Sequence, residues 1–172
     1  MSPKDLVGRS DDNVLRVSSG GAGVTLEPMS VQVAEALGPA FAAIDPWLSY
    51  PYPASALTAY FSTVEPGAPR YALRVEGNSA GAIGIRDNWL RGPYLQFLGV
   101  LPQYQRQGIG ELVLEWFEAR ASAAHERNLW VAASDFNGHA IAFYERHGFM
   151  RVASLDGLVR DGTTEILLRK RH

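Results

Sequence analysis

The 172-residue chain contains no cysteine, which excludes disulfides, thiolate nucleophiles and cysteine-based zinc sites at once. No apolar run approaches the length of a membrane span. Residues 1–9 lack the continuous apolar stretch of a signal peptide. Charge of one sign is also missing. Sixteen Lys and Arg stand against 18 Asp and Glu, a formal net charge of −2, which creates no general field for nucleic acid or an anionic membrane. The terminal Arg169-Lys170-Arg171-His172 run is short and reads as a solvated strand end. The four histidines, His125, His139, His147 and His172, include no pair at metal-ligand spacing. These absences lead to the expectation of a soluble cytoplasmic protein with no metal, no nucleic-acid partner and no membrane partner.

What is present is ordinary for a globular domain: 47% hydrophobic and 20% charged residues, in a length that suits one core. Residues 1–23 are polar and end in Ser-Ser-Gly-Gly-Ala-Gly, which reads as a flexible arm with a short ordered piece at 14–17. Residues 24–172 then form a single domain. A strand is expected at 24–27, stopped by Pro28. A helix capped by Ser30 follows, with Gly38-Pro39 threatening its middle. An aromatic, proline-rich loop at 45–53 precedes a second helix at 54–64. Strands follow at 70–76, 80–86 and 94–100, the first two joined by a turn at Gly77-Asn78.

The clearest helix runs from Gly110 to about residue 127, with Ile109, Leu112, Val113, Trp116 and Ala123 on its apolar face. A buried-type strand at 129–134 makes a parallel crossover unit with the strand before the helix. A helix at 137–147, ended by Gly148, and strands at 150–155 and 164–169 close the chain. The order is that of one mixed α/β domain.

Gln105-Arg106-Gln107-Gly108-Ile109-Gly110 lies between that strand and that helix. The first turn of a helix carries N–H groups without intrahelical partners and a dipole that favours an anion. Glycine at 108 and 110 lets phosphate oxygens approach the backbone, and Gln105 and Arg106 add donors at the rim. The spacing is not that of a dinucleotide-binding G-x-G-x-x-G loop, and no Lys-Ser/Thr follows as in a Walker loop.

The stretch from Leu98 to Gly110 resembles the acyl-CoA-binding motif of the GNAT superfamily. Asn137-x-x-Ala140-x-x-Phe143-Tyr144-Glu145-x-x-Gly148-Phe149 resembles that family's second signature. The resemblance covers residues 80–169 well and the first half only in its order of elements. It implies a GNAT-like acyl-CoA N-acyltransferase fold, a mixed sheet flanked by helices and splayed at the cofactor cleft. The activity implied is transfer of an acetyl group from acetyl-CoA to a primary amine by direct attack.

The resemblance also implies the site. The cofactor meets Leu98, Gly99, Val100, the loop Gln105, Arg106, Gln107, Gly108, Ile109 and Gly110, then Asn137 and Phe143. Gly99 stands where the family has a β-bulge. Tyr144 stands at the position of the proton donor to the leaving thiolate, and its other reading is a core aromatic. The carboxylate that many members carry on the strand before the loop is missing, so the base is open among Tyr94, Asp87 and Asp135. Trp47, Tyr50, Tyr52 and Trp89 are expected to line an acceptor pocket for a small or medium amine with an apolar portion. A homodimer is common in the family, although no interface is legible. Two alternatives stay open: a non-catalytic acyl-CoA-binding sensor domain, and a protein or peptide N-acetyltransferase.

Overall fold

The computed structural model of the protein describes residues 14–15 and 23–172. The arm expected over residues 1–23 therefore lies outside the described residues except at Val14, Leu15 and Gly23. The elements are β1 (Val14–Leu15), β2 (Val24–Pro28), α1 (Val31–Ala42), α2 (Ala54–Ser62), β3 (Arg70–Val75) and β4 (Asn78–Trp89). They continue with β5 (Gly92–Val100), α3 (Ile109–Ala123), β6 (Asn128–Ser134), α4 (Gly138–Arg146), β7 (Met150–Asp156) and β8 (Thr164–Arg171). The strands form one sheet in the order β1-β2-β3-β4-β5-β6-β8-β7. Its neighbours are antiparallel except for β5 and β6, which run parallel.

Local chemistry explains most boundaries. Ser30 caps α1 by accepting from the Val33 amide at 3.2 Å. Contrary to expectation, α1 continues through Gly38-Pro39. Pro39 sits on the exposed side of the helix, where water can take up the carbonyl bond that proline forgoes. Gly38 is buried against α2, where a Cβ would stand 2.0 Å from Thr58 Oγ1 and 2.8 Å from the Thr58 amide nitrogen. The turn between β3 and β4 is Glu76-Gly77, one residue before the expected Gly77-Asn78, with φ of 49° and 80°, the left-handed pair that a two-residue hairpin requires. Trp89 ends β4 in register with Gly92. The turn itself is Leu90-Arg91.

Two cores cover the two faces. Ala34, Leu37, Phe41, Leu57 and Phe61 of α1 and α2 pack with Ala82, Phe97 and Leu101. On the opposite face, Val113, Leu114 and Phe117 of α3 and Ile141 of α4 pack on Ile83, Ile85, Leu95, Val131 and Leu168. The buried stripe of α3 comprises Ile109, Val113, Leu114, Phe117 and Ala121, while Ala123 is exposed. It is rotated from the apolar face read in the sequence because the helix buries its i, i+4 ridge onto the sheet.

Register shows where β5 changes character. Gly84 pairs with Phe97 but Ile85 pairs with Leu95, so Gln96 is an extra residue, a β-bulge. Pairing runs without a shift through Gly99, which corrects the expectation of a bulge there. Gly99 is glycine for a packing reason, since a Cβ on it would lie 2.5 Å from the Phe41 ring. The bulge also coincides with the end of parallel pairing, which spans only Tyr94 with Trp130 and Leu95 with Val131. Beyond it the two strands part.

Candidate active site

The gap between β5 and β6 opens a cleft of about 460 Å³ on the α1/α2 face. A second space of about 400 Å³ shares Pro46, Trp47, Leu98 and Asn137 with it and extends past Gly99 and Val100 to Gln105. Along this path β5 lacks the partner that its backbone would otherwise bond. The cofactor residues expected on β5, Leu98, Gly99 and Val100, all border the second space. Asn137 borders both spaces and also caps α4, accepting from the Ala140 amide at 3.2 Å.

The second space ends at Gln105, and the glycine loop carries the chain from there to the first turn of α3. Gly108 is its N-cap, left-handed at φ 76°, and a Cβ there would meet nothing within 4 Å. The first intrahelical bond runs from the Leu112 amide to the Gly108 carbonyl at 3.1 Å, leaving the amides before it free to point at an anion. Gly110 also serves packing: its missing Cβ admits the Phe143 ring at 3.0 Å. Phe143 is half-buried and lies tilted against the His147 ring at 4.6 Å, and Ile109 points into the core. Arg106 is exposed, with φ of 60°. The Gln105 amide donates to the Val100 carbonyl at 2.9 Å and that of Gln107 to the Gln103 carbonyl at 3.1 Å, so neither side chain is extended toward the loop's outer rim.

Tyr144 belongs to the core beneath α4 yet lines the cleft on the other face. It is seen from that face because β5 and β6 no longer pair there. Burial pushes its phenol well above the ordinary range, with the nearby Tyr94 adding to the effect. A phenol held protonated in this way can donate a hydrogen bond and does not act as a base.

The three candidates for the base fare differently. Tyr94 lines the cleft, stacked on Trp89 at 4.7 Å. Burial, then the charge of Glu165, raises its phenol to about 12, which suits a donor rather than a base. Asp87 is ion-paired with Arg120 at 2.7 Å, in a separate depression beside Pro93. Asp135 is exposed at the β6 end, its amide bonded to the Thr164 carbonyl at 2.8 Å. The structure brings neither carboxylate to the cleft lining.

The expected acceptor residues Trp47, Tyr50, Tyr52 and Trp89 do line the cleft. Trp47 also stacks on Phe97 at 4.7 Å and meets Phe41 edge-on at 4.8 Å, so the 45–53 loop is anchored to the core by the ring that lines the pocket. A residue missed in the sequence faces them. Glu165 on β8 is 8% exposed and stands in register with Ser134 of β6. The Tyr50 hydroxyl bonds both Glu165 and Ser134. Burial, followed by that bond to Glu165, raises the Tyr50 phenol to about 12. The signal was a single carboxylate ahead of the apolar run Ile166-Leu167-Leu168, and period-2 alternation puts it beside Leu167 on the cleft face.

Three comparisons with known proteins point to one family. The sequence pattern of the family described as Acetyltransferase (GNAT) family matches residues 31–149. Streptothricin acetyltransferase A of Bacillus subtilis (strain 168) is 29% identical over 86 residues, 50% of this chain and 50% of that protein. N-alpha-acetyltransferase 60 of Xenopus tropicalis is 31% identical over 83 residues, 43% of this chain and 34% of its own length. The chain thus spans half or less of these relatives. In fold it is similar to the acetyl transferase of Salmonella typhimurium that modifies the N-terminal serine of 50S ribosomal subunit protein L7/L12. The TM-score there is 0.74 at 13% identity, over 93% of this chain and 99% of that one. The matched residues 31–149 contain the glycine loop, the parted strands and Tyr144, and the chain belongs to the acetyltransferase (GNAT) family.

Proposed function

We propose that the protein transfers the acetyl group of acetyl-CoA to a primary amine of a small or medium-sized molecule, with the cytoplasm as its compartment. The observation that carries this reading is the cleft that runs from Gln105 along the unpaired edge of β5 to the Tyr144 side chain, with the free amides of the first turn of α3 just beyond Gln105 in the chain. Its residues fit acetyl-CoA: open space at Gly108 for a pyrophosphate, and free strand edge for an amide-bearing arm. When bound, acetyl-CoA supplies a thioester carbonyl open to attack by a neutral amine.

The protein's own groups then have separable tasks. The amides at Gly108, Ile109 and Gly110 hold the phosphates, Leu98 and Val100 align the arm, and Tyr144 gives a proton to the departing thiolate. Asn137 positions the entry of α4 through its cap. The aromatic loop 45–53 covers the acceptor side. Arg160 ties that loop to loop 157–163 by donating to the Ser49 carbonyl at 3.3 Å and lying 5.9 Å from the Tyr50 ring. Two loops joined above a cleft of this size support a compact acceptor over an extended chain.

The test is CoA release from acetyl-CoA against a panel of small primary amines and of peptides with free N-termini. Turnover concentrated among small amines is the expected result. Turnover with peptides alone, or cofactor binding without turnover on any amine, contradicts the reading.

A further inference from the structure

The lining of the 460 Å³ cleft holds many aromatic and aliphatic side chains and one charged group, Glu165. Among the described residues it contains no lysine, arginine or histidine, and Glu165 takes part in none of the ion pairs found there. Its two polar neighbours, the hydroxyls of Tyr50 and Ser134, satisfy hydrogen-bonding capacity but bring no opposite charge. A buried carboxylate without a cation is costly unless a ligand supplies one.

The walls point the same way. Tyr50, Tyr52, Trp89 and Tyr94 surround the carboxylate's side of the cleft, and aromatic faces attract cations. Leu158 and Val159, 62% and 40% exposed, form an apolar rim that suits a short methylene chain. The two-loop roof sets an upper size.

We infer that Glu165 docks a positively charged group of the acceptor other than the reacting amine, so that the preferred substrates are compact molecules carrying a second ammonium. The inference rests on the amine-acceptor reading above and narrows its substrate class. The amine that attacks must be neutral, whereas a carboxylate contact favours the protonated form. On this assignment Glu165 holds the group that does not react. Tyr50, tethered through its loop to Arg160, keeps the carboxylate aimed into the cleft and acts as a positioning residue.

The experiment compares 1,4-diaminobutane with n-butylamine, by calorimetric binding to the CoA-bound protein and by KM and kcat in CoA release. The proteins are wild type, Glu165→Gln, Glu165→Asp and Tyr50→Phe. Wild type is expected to favour the diamine at least tenfold in binding and in KM. Glu165→Gln, which keeps the size of the side chain, should erase that preference while leaving acetyl-CoA affinity unchanged in a protein that still melts cooperatively. Glu165→Asp should retain part of it, and Tyr50→Phe should weaken it less than Glu165→Gln does. Equal binding of the two amines by wild type overturns the proposal, as does a preference that survives Glu165→Gln. A fall in kcat for both amines at unchanged KM also overturns it, because Glu165 would then be moving the reacting amine's proton. Acetyl-CoA binding, titrated without amine, separates a failure of the acyl-transfer reading from a failure of this one.

Discussion

Leu95 and Phe97 are two residues apart on β5 yet pack in opposite layers, Leu95 beneath α3 and Phe97 beneath α1 and α2. In a regular strand they would share a face. The Gln96 bulge reverses the alternation, and at the same point β5 leaves β6. One extra residue thus joins core packing to the opening of the cleft.

Phe97 should be among the most costly residues to truncate. Its ring contacts Phe41, Phe61 and Trp47 at centroid distances of 5.2, 4.9 and 4.7 Å. Phe97→Ala is expected to lose about 3–5 kcal/mol in chemical denaturation. Trp47 loses its stacking partner in the same variant, so amine KM should rise while acetyl-CoA affinity stays near that of wild type.

Gly38→Ala tests the close approach of α1 and α2. The added Cβ would press on the Thr58 amide nitrogen as well as the movable Oγ1, and a loss of about 1–3 kcal/mol is expected. Melting that rises instead, as helix propensity alone would give, would mean that the two helices separate at little cost.

Tyr144→Phe removes the proton donor and leaves the ring packed. Turnover should fall by about 10²-fold or more, with acetyl-CoA binding unchanged. Since burial raises this phenol, the wild-type rate should show no alkaline decline below about pH 10, the ordinary tyrosine value. The rate should instead climb as the acceptor amine loses its proton. Equal turnover of Tyr144→Phe and wild type would make the residue a core aromatic only.

Stability should respond to the same phenols at high pH. Burial raises Tyr94 and Tyr50 to about 12, with Glu165 adding to both, whereas the unfolded chain titrates near 10. Between those values the unfolded chain binds fewer protons, so stability is fully present below about pH 10 and falls as pH rises toward about 12. Melting temperature should drop across that interval, less steeply in Tyr94→Phe. A flat melting temperature would contradict the burial of these hydroxyls.

The sequence carried the element order from β2 to β8 because hairpin turns, caps and alternation are local signals: Gly77, Ser30 and Gly148 each act within a few residues, although the turn at Gly77 begins one residue earlier than read. The glycine loop was legible for the same reason. Gly38, Gly99 and Gly110 were not. Each is glycine because a residue distant in sequence (Thr58, Phe41 or Phe143) occupies its Cβ position. Pro39 misled because its effect depends on whether its side of α1 meets solvent or core. Glu165 was overlooked because its importance comes from Ser134 and Tyr50, brought to it by the sheet register and by a loop more than a hundred residues earlier. Asp87 lies on β4 and is held by Arg120 on α3, a pairing that the sequence does not show.

The most direct measurement is calorimetric titration of acetyl-CoA into wild type, Gly108→Ala and Gly108→Glu. Gly108 has open space beside it and a left-handed φ of 76°, so alanine should cost about 1 kcal/mol of stability and leave most of the affinity. Glutamate sets a negative charge before the free amides of α3 and should weaken binding by about 10²-fold or more in a protein that still melts cooperatively. Affinity equal in Gly108→Glu and wild type, or no binding by folded wild type, would contradict the assignment of this loop and the path behind it to acetyl-CoA.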